Sequence, residues 1–309
     1  MNILITGGAG FIGSHLCRRL IARGDKVICM DNFITGSLRN VQSLAGHRRF
    51  RLLKYDAAKP LSVTGKLDWV LHFASIASPK YYLAYPIKTL ESGLMGTYNC
   101  LQLARRKNAR FFFSSTSEVY GDPVVHPQVE EYWGNVNSIG VRSCYDESKR
   151  GGEAITYAFM RQHKVDVRLI RIFNTYGPNM QPDDGRVVSN FIVAALKGRF
   201  LTMYGDGRQT RSFCYVDDLI EGILKVMASD YQLPINLGNP SEFTIAQLAD
   251  IVRELVGRKL PVKRLPLPQD DPKQRCPDIT KARKLLGWEP RVALREGLAR
   301  TIEYFRQNI

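Results

Sequence analysis

The sequence predicts a doubly wound α/β protein, a parallel sheet followed by a smaller mixed α/β C-terminal region, on three observations. Short, nearly continuous apolar runs alternate with helical patterns over the first two-thirds of the 309 residues, as in strands buried on both faces of a parallel sheet. The first run leads into a glycine-rich turn that opens directly into a helix. The alternation then breaks near Ile172 into turn-rich segments with isolated helices.

In chain order, Asn2-Ile3-Leu4-Ile5-Thr6 reads as a buried strand and Ile12 to Ala22 as a helix. Val27-Ile28-Cys29-Met30 forms a second strand that ends at Asp31. Trp69 to Phe73, Arg110 to Phe113 and Val167 to Arg171 supply further strands. Beyond Ile172, Gly177-Pro178-Asn179 and Gly205-Asp206-Gly207 mark turns. Thr244 is placed to N-cap a helix whose apolar face carries Ile245, Leu248, Ile251, Val252 and Leu255 and which Gly257 stops. A last pattern runs from about Asp278 to Leu286, with Gly287 following. The expected division is a first domain over residues 1–172, with a return of the chain over about 208–238, and a second, mainly ligand-binding domain over 173–309.

Composition narrows the class. The chain is 44% apolar and 24% charged, ordinary for a soluble globular protein. No apolar run approaches the ~18 residues of a membrane span, and no basic segment precedes the apolar stretch at Ile3, so neither a membrane partner nor a secretory leader is expected. Lys and Arg outnumber Asp and Glu 44 to 29, a formal charge of +15. That excess suits a nucleic acid, an anionic surface or an anionic small ligand, or simply a solvated surface, since no block of five like charges occurs. The six cysteines and five histidines are scattered without metal-ligand spacing. The expectation is therefore no metal, no disulfide framework and a reducing cytoplasm.

Gly7-Gly8-Ala9-Gly10-Phe11-Ile12-Gly13 has the spacing of a phosphate-binding turn between strand and helix. Gly7 permits the turn, Gly10 lets backbone approach a pyrophosphate, and Gly13 lets the helix pack close to the sheet. The helix N-terminus, with Phe11 and Ile12 in its first turn, offers free N–H groups to the phosphates. Asp31 closes the second strand 24 residues after Gly7, where a carboxylate accepts the hydroxyls of an adenosine ribose and repels a 2′-phosphate. This Rossmann-type pattern predicts NAD as cofactor, with nearby Arg39 able to soften the preference over NADP. Asn32, Thr35 and Gly36 follow Asp31 on the same rim. Asp56, with Ala57 beside it, either reaches the adenine or is a plain turn residue.

Tyr145 and Lys149 stand four apart, on one face of a helix. A free tyrosine, with a pKa near ~10, is a poor base at neutral pH; a neighbouring ammonium and a positive nicotinamide favour its phenolate. Such a tyrosine can take a proton from a sugar hydroxyl while the cofactor takes hydride from the same carbon. The pair follows the glycine turn by 138 residues.

This combination resembles the extended short-chain dehydrogenase/reductase family of nucleotide-sugar enzymes over nearly the whole chain, and within it most of all the UDP-glucuronate decarboxylases. The resemblance rests on Ser115-Thr116-Ser117-Glu118-Val119-Tyr120-Gly121-Asp122-Pro123, Cys144-Tyr145-Asp146-Glu147, Arg171 through Pro178, Asp184 through Phe191 and Gln209-Thr210-Arg211-Ser212-Phe213. Asp270-Asp271-Pro272 and Pro277-Asp278-Ile279 continue it. In the related 4,6-dehydratases an Asp-Glu pair occupies the positions of Ser117 and Glu118; here the acid for water loss is missing. The 4-epimerases usually carry a small residue where Glu118 stands.

The resemblance implies a UDP-sugar substrate, UDP-glucuronate, oxidised at carbon 4 with Tyr145 as base. The ketone, β to the carboxylate, loses carbon dioxide to give an enolate, which is reprotonated, and return of the hydride to carbon 4 gives UDP-xylose with NAD regenerated in place. Lys149 would hold the nicotinamide ribose, Thr116 the carbon-4 oxygen, and Glu118 would position the ring or relay a proton. Asn174, Arg186, Arg211 and Arg275 would hold the nucleotide diphosphate. No nucleic acid is implied. The alternative within the family is another epimerase or dehydratase, such as a UDP-glucuronate 4-epimerase. A homodimer is implied through helices at about Pro86 to Arg106 and Tyr145 to His163.

Two departures bear on the substrate. Ile76 stands where the decarboxylases carry a proline, and Glu91-Ser92-Gly93 replaces a Lys-Thr-Asn run. A glutamate in the place of that lysine would repel a sugar carboxylate, unless the segment has shifted.

Overall fold

Seven parallel strands form the central sheet of the computed structural model, which describes residues 1–267 and 274–309. Asp270-Asp271-Pro272 lie outside the described residues. In chain order the first six strands are β1 (Asn2–Thr6), β2 (Lys26–Asp31), β3 (Phe50–Lys54), β4 (Trp69–His72), β5 (Arg110–Thr116) and β6 (Val167–Ile172). Across the sheet the order is β3-β2-β1-β4-β5-β6, with Ile235–Leu237 paired parallel outside β6. Strand order reverses between β1 and β4, which opens a crevice at the carboxyl ends of those strands.

Side chains alternate across the sheet with the period of two that extended backbone imposes. Ile3, Ile5, Leu71 and Phe112 pack on one face with α1 (Phe11–Arg23) and the helix Val216–Ala228. Leu4, Val70, Phe111 and Phe113 pack on the other with Cys100, Leu101 and Ala104 of α3 (Pro86–Lys107) and Phe159 of α4 (Ser143–His163). A short helix, α2 (Pro79–Ala84), precedes α3.

The smaller layer is built from minor sheets. Leu201–Tyr204 pairs with Val262–Leu265, and Thr210–Ser212 pairs with Glu242–Thr244 and Gln274–Arg275. The helix Ile245–Val256 has the expected cap: Thr244 and Gln247 form a reciprocal capping box, and Gly257 ends it in a left-handed conformation.

Two of the boundaries that differ from expectation have a visible cause. β5 runs on past Phe113 to Thr116, because the polar residues after the apolar run find partners in the sheet layer. Ser114 Oγ donates to the His72 carbonyl at 2.8 Å and Ser115 Oγ to Glu153 at 2.6 Å. The helix expected from Asp278 starts at Thr280, whose N–H is taken by the Asp278 carboxylate.

Candidate active site

The carboxyl ends of β1, β4 and β5 open on a cavity of about 890 Å3 that the smaller layer closes from above. Its first wall is the glycine turn. Gly7 has φ +70°, and a Cβ there would lie 2.6 Å from the Ala74 nitrogen; one on Gly13 would lie 2.8 Å from the Gly8 Cα. A side chain would collide with the backbone after β4 at Gly7 and with the turn itself at Gly13, so both glycines let the turn close against its neighbours. Gly10, Phe11 and Ile12 line the same wall.

Asp31, at the end of β2, accepts N–H bonds from Ala9 at 2.9 Å and Phe33 at 2.8 Å. It is thus fixed at the rim, with Asn32 and Thr35 lining the cavity beside it. Burial pushes its carboxyl above the usual range, and the Phe33 and Ala9 N–H bonds oppose that. Gly36 stands behind Asp31 rather than on the wall: a Cβ there would lie 2.6 Å from its carboxylate. Arg39 is turned away, bonded to Asn308 of the C-terminal helix, so nothing places its charge on a ribose at Asp31. Asp56 takes up a turn position at the cavity's edge. It lines the cavity together with Ala57, and its carboxylate takes the Ala58 N–H as a turn residue does while pairing with Lys88 at 2.8 Å.

Tyr145 and Lys149 share the buried face of α4 and both line the cavity. Burial pushes the Tyr145 phenol up to about 12; a hydrogen bond with the Thr116 hydroxyl and the charge of Arg186 oppose it. Lys149 donates to the Ser114 carbonyl at 2.7 Å, and burial pulls its ammonium down to about 7. Among the protein's own groups, therefore, the interactions that favour the phenolate come from Thr116 and Arg186, not from the lysine four residues on.

Thr116, Ser117 and Glu118 line the wall opposite Tyr145. Thr116 also caps the 3-10 turn Ser117–Tyr120 by accepting the Glu118 N–H. The Glu118 carboxylate is clamped by the guanidiniums of Arg275 and Arg142. Burial opposes its charge, yet Arg275 and Arg142 outweigh that and hold the carboxyl well below its usual range. Arg275 is only 2% exposed; it also donates to Ser117 Oγ at 3.2 Å and to the Gly121 carbonyl at 2.9 Å. Asn174, Arg186 and Arg211 reach the same cavity, Arg186 through an ion pair with Asp184 at 3.3 Å and a bond to the Ala77 carbonyl.

Sequence reasoning missed Arg142 and Tyr82. Arg142 sits one residue before α4 and reaches Glu118. Tyr82 on α2 stacks on Tyr145. Neither belongs to a spaced motif; the signal for Arg142 was a cation three residues before the Tyr145 helix face.

The departures take on a physical form. Glu91 does not line the cavity; it pairs with Lys88 at 2.9 Å on the outer side of α3, while Ser92 faces the interior. Ile76 is buried and packs with Tyr82, Cys144 and Tyr145.

The comparisons with known proteins agree with this geometry. The NAD dependent epimerase/dehydratase family matches residues 3–238. The chain belongs to that family. It is 53% identical over 310 residues to UDP-glucuronic acid decarboxylase 6 of Arabidopsis thaliana, covering all of this chain and 90% of that protein. It is 54% identical over 308 residues to UDP-glucuronic acid decarboxylase 1 of Xenopus tropicalis, covering all of this chain and 73% of that protein. Among solved structures, the dTDP-glucose 4,6-dehydratase DesIV of Streptomyces venezuelae, with NAD and TYD bound, superposes with a TM-score of 0.92 at 30% identity over all of this chain and 98% of that one. The UDP-glucuronic acid 4-epimerase of Bacillus cereus, in complex with UDP-glucuronic acid and NAD, superposes with a TM-score of 0.90 at 29% identity over 99% of each chain. NAD is the cofactor of the family, and the cradle of Gly7 and Gly13 with Asp31 at its rim fits that group.

Proposed function

We propose that this chain decarboxylates UDP-glucuronate to UDP-xylose through a 4-keto sugar, with the cofactor regenerated in place. The observation that carries the reading is the wall at the end of β5. Two hydroxyls, Thr116 and Ser117, line the cavity, the first bonded to Tyr145 and the second to Arg275, and the only carboxylate of that turn is clamped between Arg275 and Arg142. Such a wall holds a sugar oxygen but offers no free acid to protonate a departing hydroxyl. Full-length identity to decarboxylases supports the same conclusion.

NAD, which the glycine turn and Asp31 would hold, would supply the hydride acceptor for sugar carbon 4 and the hydride donor that closes the cycle. Tyr145 takes the proton of the carbon-4 hydroxyl, and Thr116, already bonded to Tyr145, holds the same oxygen. The resulting ketone is β to the carboxylate, so carbon dioxide leaves as electrons flow to the carbon-4 oxygen. There the Tyr145 and Thr116 hydroxyls meet the developing charge. The enolate is reprotonated at carbon 5 before carbon 4 is reduced again. Lys149 lies within the same pocket to hold a ribose hydroxyl. Asn174, Arg186 and Arg211 hold the nucleotide diphosphate, where guanidinium forks match phosphate oxygens; Arg275, expected beside them, is instead committed to Glu118, Ser117 and the Gly121 carbonyl. Glu91, paired with Lys88 outside the cavity, places no charge against the sugar carboxylate.

We assign residues 1–172 with 208–238 to the cofactor domain and the rest mainly to the nucleotide sugar. We also propose a homodimer through α3 and α4. Ile87, Met95 and Tyr98 expose 68%, 53% and 47% of their surface along one side of α3. Met95→Asp should convert a dimer to a monomer in sedimentation; a monomeric parent protein would overturn this.

The enzymatic reading is tested by incubating the purified protein with UDP-glucuronate and NAD and following the products by NMR. Carbon dioxide with UDP-xylose is expected. UDP-galacturonate with its carboxylate retained would replace the decarboxylase by a 4-epimerase. Tyr145→Phe should lose about 10²- to 10⁴-fold in turnover.

A further inference from the structure

The fold brings together three potential metal ligands that are far apart in sequence. His126, Glu242 and Cys276 each offer one donor atom, and the three atoms lie within 4.8 Å of one another; no other such cluster of three or more occurs among the described residues. No local spacing signals it, because 116 residues separate the histidine from the glutamate. His126 follows the Gly121 turn, Glu242 begins a strand of the smaller layer, and Cys276 follows Gln274–Arg275.

The supports around the cluster resemble those that hold ligands in place. His126 Nε2 and the Glu242 carboxylate are 2.9 Å apart, with side chains 29% and 27% exposed, while Cys276 is buried. The second Glu242 oxygen accepts the Thr210 hydroxyl at 2.6 Å, which fixes the carboxylate's orientation. The Cys276 N–H is taken by Gln128 Oε1 at 2.9 Å, and the Gln128 N–H by the Cys276 carbonyl at 2.9 Å. The Cys276 sulfur donates to the Pro240 carbonyl at 3.3 Å and lies 4.0 Å from the Pro277 carbonyl.

We propose that His126, Glu242 and Cys276 bind one Zn2+ that pins the segment after Gly121 to the strands of the smaller layer. A nitrogen, a carboxylate oxygen and a sulfur are the donor set of that ion and not of magnesium or calcium. Bonds of ~2.0–2.3 Å require donors about 3.3–3.8 Å apart, which the two partly exposed side chains reach by small rotations. Binding exchanges the His126–Glu242 hydrogen bond for two metal bonds and releases the thiol proton of Cys276 to solvent. Thiolate and carboxylate then balance the dication, and water completes the tetrahedron. The ion would report on the catalytic cavity, because Arg275, next to Cys276, bonds both Gly121 and Ser117.

The test is a titration of the chelator-treated full-length protein with Co2+ and with Zn2+. Co2+ should give a thiolate charge-transfer band saturating at one equivalent per chain, and Zn2+ should displace it and raise the melting temperature. Mg2+ should do neither. Cys276→Ser should abolish the band, and His126→Gln and Glu242→Gln should weaken Zn2+ binding by at least about tenfold. Absence of the band in the parent protein, or the same band in Cys276→Ser, would overturn the proposal. Should Cys276→Ser fail to fold, His126→Gln decides alone, since its side chain lies at the surface: unchanged Zn2+ affinity there is equally fatal.

Discussion

The ring of Tyr82 lies parallel to that of Tyr145, with centroids 5.4 Å apart and planes 4° from each other. The Tyr82 carbonyl also accepts the Cys144 thiol at 3.5 Å. These two contacts tie α2 to the first turn of α4, the turn that carries the proposed base. Stacked aromatic pairs contribute about 0.5–1.5 kcal/mol beyond their burial. Tyr82→Ala should therefore lower turnover roughly 3- to 10-fold by loosening Tyr145, whereas Tyr82→Phe, which keeps the stack, should stay near the parent rate. Steady-state kinetics of the two variants check this; equal rates would mean that the stack positions nothing.

Thr116 should set the pH at which Tyr145 works. Burial holds the phenol near 12 and the Thr116 bond pulls it down. The base must lose its proton to act, so the acid limb of the pH profile follows its pKa. Removing an interaction that lowers the pKa moves that limb to higher pH. Thr116→Val should show this displacement in kcat/KM, with Thr116→Ser close to the parent. A profile that keeps its position and only drops in height would assign Thr116 to substrate orientation alone.

Lys149 gives a stability signature. Burial pulls its ammonium from 10.5 to about 7, with Glu153 opposing. An unfolded lysine titrates near ~10.4. Between those values the unfolded chain binds more protons than the folded one, so the stability of the cofactor-free protein rises with pH across that window. The slope from one such group is at most about 1.4 kcal/mol per pH unit. In Lys149→Met this contribution is absent. Urea melts from pH 7 to 9.5 should show the parent gaining stability relative to the variant; parallel curves would place the folded-state pKa outside the window.

What was legible in the sequence was what local pattern encodes. The period of two in Ile3-Leu4-Ile5, the glycines before α1 and the Thr244 cap all act within a few residues, and each stands where the pattern puts it. Illegible were contacts made across the crevice. Arg142 reaching Glu118, Tyr82 lying on Tyr145 and Arg39 turning to Asn308 span 24, 63 and 269 residues, counted on the chain. No spacing rule announces such pairs; they exist because the crossover connections of a parallel sheet deliver distant segments to one edge.

The Glu91-Ser92-Gly93 departure is coupled to Ser148. α3 and α4 pack directly, and a Cβ at Gly93 would lie 2.6 Å from Ser148 Oγ. Ser148 cannot simply rotate away: it is fully buried and its hydroxyl donates to the Tyr145 carbonyl at 2.8 Å. It also stands between Tyr145 and Lys149, so anything that pushes on it pushes on both. Gly93→Asn, which restores the residue of the resembled run, should thus destabilise the protein by about 1–3 kcal/mol through overpacking and reduce turnover. Ser148→Gly removes the side chain in the way. The double variant should recover part of both losses, with a coupling energy of about 0.5–3 kcal/mol in a double-mutant cycle. Strictly additive effects would show that the helices slide apart freely, and that glycine at position 93 is not required by the hydroxymethyl group facing it.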